Sequence, residues 1–319
     1  MDSIRQIDNK YIENNTNFTE LISALIDGFS SNSIIVPMRH HHDFPNPKVG
    51  SDSTLLLMPA WNPSKESGVK IVTVSPENGQ FNLPSIQGTY IYFDAIKGTI
   101  KAILEAKSLT VKRTAAASAL ASSFLSAKNA SSLLMIGTGA LSTNLIKAHA
   151  SVRPLKTVYV WGRNSKKAEA ICAQFSNEGF SVLPIETIAE KISEVDIISC
   201  ATLSKTPLVL GQYLRPGQHI DLVGAYKKDM READNDVIIK SSVYLDTFQG
   251  GLKESGDIVI PMKKGILKES DIKGDLFQLC SSKKQGRINP EEITMFKSVG
   301  HALEDLVAAK YYYKKFTNA

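Results

Sequence analysis

Cysteine is scarce in this 319-residue chain: Cys172, Cys200 and Cys280 are the only three. Their spacing matches neither a zinc site nor a disulfide framework, so reduced thiols in the cytoplasm are expected. Long apolar runs are missing too, and nothing reaches membrane-spanning length. The start, Met1-Asp2-Ser3-Ile4-Arg5, continues in polar residues without the apolar stretch of a signal peptide. Blocks of like charge are absent. Lysine and arginine number 37 against 32 acidic residues, a net charge of +5. The bases are scattered and not interleaved with aromatics, so neither a nucleic-acid partner nor a membrane partner is expected. Such a mild positive balance suits anionic small molecules. Internal repeats and low-complexity segments are lacking as well. What remains is 43% hydrophobic and 22% charged, the composition of a globular protein long enough for two cores.

Residues 17–29 repeat apolar positions at helical spacing, with Asn17 or Thr19 as N-cap. Residues 33–37 and 54–58 read as short strands. Pro37, Pro45, Pro47, Pro59 and Pro63 mark loops between them. The alternating, β-branched 69–75 and 89–95 read as strands. The N-terminal third is therefore α+β, with an antiparallel or mixed sheet. Residues 113–128 form a small-residue helix. Strands at 131–136, 157–161, 181–184, 195–200 and 219–223 then alternate with helices at 140–150, 165–178 and 186–192. That alternation predicts a doubly wound parallel sheet of Rossmann type. The tail at 290–315 reads as helix, with Pro290, Glu291 and Glu292 in its first turn.

The most informative stretch is 131–150, where an apolar strand runs into Gly137-Thr138-Gly139 and a helical pattern follows. Gly137 allows the tight turn, and Gly139 allows a pyrophosphate to approach the helix N-terminus. The third fingerprint position is Ser142, small enough for close packing. The alternative is an ordinary βα turn with a packing glycine. The second strand ends in Gly162-Arg163-Asn164, without the carboxylate that NAD sites place against the ribose hydroxyls. Arg163, helped by Lys166 or Lys167, suits a 2′-phosphate, so NADPH is expected ahead of NADH. Ala201 and Thr202, and then Gly224 and Ala225, follow later strands and are expected at the same crevice.

These residues carry a resemblance. Pro37-Met38-Arg39, Gly68-Val69-Lys70, the run Leu109 to Ser118, Gly137-Thr138-Gly139-Ala140, Val223-Gly224-Ala225 and Phe296 to Asp305 resemble, in this order, the ornithine cyclodeaminase/mu-crystallin family. The resemblance implies a homodimer. It implies a dimerisation and substrate domain from residues 1–112 and 296–319, and a dinucleotide domain from 113–295. It gathers Arg39, Lys70 and Arg113 around a substrate carboxylate, with Ser298 and Gly300 beside the substrate and Lys70 as a candidate proton donor. It puts Thr110, Gly137, Thr138, Gly139, Ala140, Leu141, Arg163, Ala201, Thr202, Val223, Gly224, Ala225 and His301 at the cofactor. A packing role for His301 at the helix start is an equal expectation. Without the family, each of the three cations reads as a surface charge or ion-pair partner.

One departure narrows the chemistry. Cyclodeaminases carry a catalytic aspartate directly after Val-Gly-Ala, where this chain has Tyr226. A phenol is a poor base near neutrality. Lys228-Asp229-Met230-Arg231-Glu232 resembles the Pro-Asp-x-Arg-Glu stretch of ketimine and pyrroline-2-carboxylate reductases, with Lys228 in place of proline. Asp229 and Glu232 have a structural alternative, capping the next helix and pairing with Arg231. The resemblance thus implies reduction of a cyclic imino acid, Δ1-pyrroline-2-carboxylate to L-proline or Δ1-piperideine-2-carboxylate to L-pipecolate. The alternatives are ornithine cyclodeaminase, an amino-acid dehydrogenase and a non-catalytic ligand-binding protein. His40-His41-His42-Asp43 reads as a solvated loop, and no metal site is expected.

Overall fold

A computed structural model describes residues 3–318; Met1, Asp2 and Ala319 lie outside the described residues. The first elements are β1 (Arg5–Ile7), α1 (Asn9–Asn14), α2 (Phe18–Ser31), β2 (His40–Phe44), β3 (Ser53–Asn62), β4 (Glu66–Val74), β5 (Ile86–Asp94), β6 (Ile100–Glu105) and α3 (Ala106–Leu125). Then come β7 (Ser132–Ile136), α4 (Ser142–Val152), β8 (Thr157–Trp161), α5 (Ser165–Cys172), β9 (Ser181–Pro184), β10 (Ile197–Cys200) and β11 (His219–Leu222). The last are α6 (Asn235–Lys240), β12 (Ser241–Leu245), α7 (Phe248–Glu254), α8 (Gly256–Lys263), β13 (Gly274–Asp275), α9 (Leu276–Cys280), β14 (Ile293–Lys297) and α10 (Ala302–Thr317). The chain divides into two compact units. One runs to Arg113 and resumes at Ala302; the other is Thr114–His301.

The first unit holds a six-stranded mixed sheet, ordered β1-β6-β5-β4-β3-β2, in which only the β1–β6 pair is parallel. One sheet face is covered by α10, which also packs on α2. On that face Met58, Ala60, Lys70, Val72, Tyr90, Tyr92, Ala102 and Leu104 are buried. The intervening residues point the other way because strand side chains alternate. They include Leu55, Leu57, Trp61, Val69, Ile71, Ile91, Phe93 and Ile103, all half-buried. Antiparallel sheets with a solvated face usually carry polar residues there. Here large apolar side chains predominate on that face, with Ser67, Thr73 and Thr89 among them.

The second unit is an eight-stranded, wholly parallel sheet, ordered β13-β12-β14-β11-β10-β7-β8-β9. From β7 the chain moves outward through β8 and β9, then returns to the other side of β7 as β10. The order therefore reverses between β7 and β10, the place where doubly wound sheets open a ligand crevice. Leu134, Ile136, Ile198, Ile220, Leu222, Val243, Leu245 and Met295 form its core. Strands buried on both faces need such near-continuous apolar runs.

Several sequence expectations need correction. Residues 290–301 are not helical. Ile293–Lys297 is a strand between β11 and β12, and the helix begins at Ala302. Burial of Thr294, Met295 and Phe296 within the sheet outweighs the helix-start signal of Pro290-Glu291-Glu292. Consequently 296–301 belong with the parallel sheet rather than with the C-terminal helix. His40–Asp43 lies in the edge strand β2 rather than in a loop, with His40 and His42 on one face and ring centroids 6.1 Å apart. Pro59 sits inside β3. The β2 partner ends opposite Leu57, so the missing N–H of Pro59 costs no bond in that ladder. Residues 33–37 form only an isolated bridge, Ile35 to Trp61. Residues 186–192 contain a single 3-10 turn, Ile188–Glu190, closed by a Thr187/Glu190 capping box. Asp234, not Asp229 or Glu232, caps α6.

Candidate active site

The loop after β7 is shaped for close approach. Gly137 has φ +119°, and a Cβ there would lie 2.6 Å from the Ala201 carbonyl oxygen. Its amide donates to the Trp161 carbonyl at 2.8 Å. A Cβ on Gly139 would meet nothing within 4 Å, so this side of the loop is open. Ser142 donates its hydroxyl to the Gly137 carbonyl at 2.9 Å, locking the turn from inside. No side chain caps α4, and Leu141 stands at its N-cap position. The first-turn amides of a helix have no intrahelical acceptor and favour an anion. A cleft of about 370 Å³ opens here, lined by Gly137, Thr138, Gly139, Arg163, Ala201 and Thr202 among others. Asn164 and Lys167 also reach its rim, while Lys166 does not line it. An open glycine loop and an uncapped helix at the end of the first strand fit a dinucleotide.

Beneath this cleft lies a cluster with no solvent exposure: Glu232, Asp257 and Lys297. The Lys297 Nζ is 3.1 Å from Asp257 Oδ2 and 3.6 Å from Glu232 Oε2. Burial opposes the Lys297 charge, but Asp257 and Glu232 outweigh it and raise its pKa. Burial also raises that of Glu232. Gly224 and Ala225 donate their amides to Glu232, and so do the amide and hydroxyl of Thr202. Val223 and Ala225 are buried beside it. Further along, Asp246 at the end of β12 accepts from the amides of Val299 (2.6 Å) and Gly300 (2.7 Å) and from the Ser298 hydroxyl (3.4 Å). Gly300 has φ +83°. The His301 ring meets Phe277 edge-on at 5.8 Å. Tyr226 is 38% exposed.

The first unit carries the cations. Lys70 reaches Asp305 with contacts of 2.9 and 3.0 Å and donates to the Thr110 hydroxyl at 3.4 Å. Arg113 donates from Nε to Asp305 at 2.9 Å and from Nη1 to Glu304 at 2.6 Å. Lys70 and Arg113 are 3% and 5% exposed, and both carboxylates are fully buried. Arg39 is half-buried and acts electrostatically on Lys70 and Asp305. Burial pushes the Lys70 ammonium down from 10.5 to about 8; Asp305 resists, while Arg113 and Arg39 add to the fall. Burial also disfavours charge on Asp305, but Arg113 and Lys70 outweigh it and hold its carboxyl below the usual range.

Arg39, Lys70, Thr110 and Arg113 thus share one electrostatic cluster, and Gly137, Thr138, Gly139, Arg163, Ala201 and Thr202 share one cleft. The supporting acids were missed. Glu304 and Asp305 lay within a recognised motif without a role, and Asp246, Asp257 and Lys297 had none. Lys297 carried one usable signal, a lysine closing an otherwise apolar strand. Among the described residues, no helix is long and apolar enough to cross a membrane, and no group of three or more His, Cys, Asp or Glu could hold a metal.

Known proteins resemble this chain over nearly its whole length. The Delta(1)-pyrroline-2-carboxylate reductase of Colwellia psychrerythraea is 37% identical over 302 residues, 93% of this chain and 95% of its own. The solved structure of the Thermococcus litoralis Delta(1)-pyrroline-2-carboxylate reductase, in complex with NADH and L-proline, superposes with a TM-score of 0.91 at 32% identity, covering 99% of this chain and 98% of that one. An archaeal alanine dehydrogenase dimer with bound NAD superposes with a TM-score of 0.89 at 25% identity, covering 99% and 97%. Residues 6–319 match a single family along their whole length, and the chain belongs to it: the ornithine cyclodeaminase/mu-crystallin family.

Proposed function

We propose that this protein is an NAD(P)H-dependent imine reductase that converts Δ1-pyrroline-2-carboxylate to L-proline, and that it also accepts the six-membered Δ1-piperideine-2-carboxylate to give L-pipecolate. The observation that carries the reading is the buried cluster in which Lys70 and Arg113 share Asp305. Arg113 and Arg39 offer the forked geometry that matches a carboxylate, and Lys70 adds a point charge. The reaction adds a hydride at C2 and a proton at nitrogen. Bound NAD(P)H supplies the hydride. Lys70, with a pKa of about 8, is poised to hold and give a proton near neutrality. Ser298 and Gly300 are assigned to the substrate and His301 to the cofactor, on the loop that Asp246 fixes. Tyr226, in place of the cyclodeaminase aspartate, supports reduction over deamination.

Arg163 and Lys167 on the cleft rim support NADPH ahead of NADH. The half-buried apolar side chains on the outer face of the first unit's sheet support a homodimer, since contiguous apolar surface marks interaction sites. The free thiols Cys172, Cys200 and Cys280 support a reducing, cytoplasmic location. The test is direct. Purified protein is mixed with NADPH or NADH and each cyclic imino acid, nicotinamide absorbance is followed, and the product is identified by chromatography. Oxidation with proline or pipecolate appearing supports the reading. No oxidation with either cofactor overturns it.

A further inference from the structure

We infer that Glu232 is a positioning residue for the nicotinamide half of the cofactor, its buried carboxylate clamping the loops after β10 and β11 into one surface. The inference rests on the nucleotide reading above. The parallel ladder between these strands ends with the Val223 amide donating to the Cys200 carbonyl at 2.9 Å. Past that point Glu232 takes over. Its Oε1 accepts from the Thr202 amide at 2.6 Å and the Thr202 hydroxyl at 3.0 Å. Its Oε2 accepts from the Gly224 amide at 2.8 Å and the Ala225 amide at 3.1 Å. Only a carboxylate presents two oxygens that both accept; an amide would turn an N–H toward one set of donors. The loops approach so closely that a Cβ on Gly224 would collide with the Thr202 backbone.

A fully buried carboxylate is costly to keep, and this one is supported in turn. Asp257 accepts from the Glu232 amide at 2.8 Å and the Ala233 amide at 3.1 Å, and Lys297 stands 3.1 Å from Asp257. The location points to the cofactor. Glu232 serves the ends of β10 and β11, on the opposite side of the switch point from β8 and Arg163. In a doubly wound sheet the two mononucleotide halves fall on the two sides of that point. The adenosine half falls to Gly137–Gly139 and Arg163, the nicotinamide half to Thr202 and Gly224–Ala225.

The test separates the two halves. Dissociation constants are measured by calorimetry for the reduced cofactor that the wild type binds more tightly, and for the corresponding ADP-ribose fragment, which lacks nicotinamide. In Glu232→Gln the whole cofactor is expected to weaken tenfold or more, while the fragment stays within twofold. The double variant Glu232→Gln/Lys297→Met removes one charge of each sign, so that the net charge of the cluster is that of the wild type, and is expected to keep the same selective loss. Equal weakening of both ligands, no weakening of either, or restoration of cofactor binding in the double variant would each overturn the inference. A wild type that binds neither ligand removes the nucleotide reading itself, and the inference falls with it.

Discussion

Replacing Asp305 by asparagine puts the substrate site to its sharpest test. The carboxylate is fully buried and is shared by the Lys70 ammonium and the Arg113 Nε. Asparagine keeps the shape and one acceptor but loses the charge, leaving two buried cations facing each other. Breaking a buried ion pair from one side costs about 3–5 kcal/mol of stability. Lys70 can relieve part of that by giving up its proton. Its pKa is about 8 only because Asp305 opposes the burial and the two arginines that push it down. Without Asp305 it falls further, and each unit below the working pH removes about tenfold of the ammonium. The assay is kcat/KM for the imino acid between pH 6 and 9, with urea unfolding alongside. In the wild type, kcat/KM is expected to decline as pH rises through about 8, where Lys70 loses its proton. In Asp305→Asn that decline moves to lower pH. The imine's own titration is common to both proteins, so the displacement reports a protein group. A variant that loses stability but keeps the wild-type pH profile would refute the assignment of Lys70 as the titrating cation.

The cofactor cleft and the outer sheet face yield further expectations. Arg163→Ala should weaken NADPH by about 10- to 150-fold, the worth of about 1.5–3 kcal/mol of charged hydrogen bonding, and leave NADH nearly unchanged, as read from KM for each cofactor; equal effects would remove the 2′-phosphate assignment. Gly137→Ala and Gly139→Ala should part company. The first forces a side chain into φ +119° against the Ala201 carbonyl and should lower Tm as well as cofactor affinity. The second places a methyl in open space, so Tm should hold while calorimetry shows cofactor binding lost. Ile71→Lys, on the apolar outer face, should shift the protein from dimer to monomer in analytical ultracentrifugation; an unchanged dimer would place the subunit contact elsewhere.

How much of this was legible depended on where the signal sat. The Gly137 turn, the β7–α4–β8 unit and the cap at Asn17 were readable because local chemistry and tertiary structure ask for the same residues. The strand Ile293–Lys297 was not. Pro290-Glu291-Glu292 is a fair helix start, and only the presence of β11 and β12 on either side makes a strand the better solution. The edge strand at His40–Phe44 was hidden for the opposite reason. All five of its residues are exposed, so neither alternation nor an apolar run marked it. Pro59 misled because its cost depends on whether a neighbour needs its N–H, which no local window reveals.

The cations and the acids of the site differ in the same way. Arg39, Lys70 and Arg113 were nameable through their resemblance to family motifs, because each sits in a short stretch with its own pattern. Asp305, which holds two of them, is distant in sequence from Lys70 and Arg113, and its pairing exists only after α10 packs on the sheet. Glu232 is a stronger case. Its neighbours Arg231 and Asp234 favour the reading of a helix start, and Asp234 does supply that cap. What sets Glu232 apart is complete burial against two loops and Lys297, a fact of the assembled sheet. A carboxylate in an α/β chain is therefore better judged by the backbone donors gathered around it than by the helix it precedes. Thr202, Gly224 and Ala225 converge on a single side chain, and that convergence assigns Glu232 to the loops after β10 and β11 rather than to the next helix.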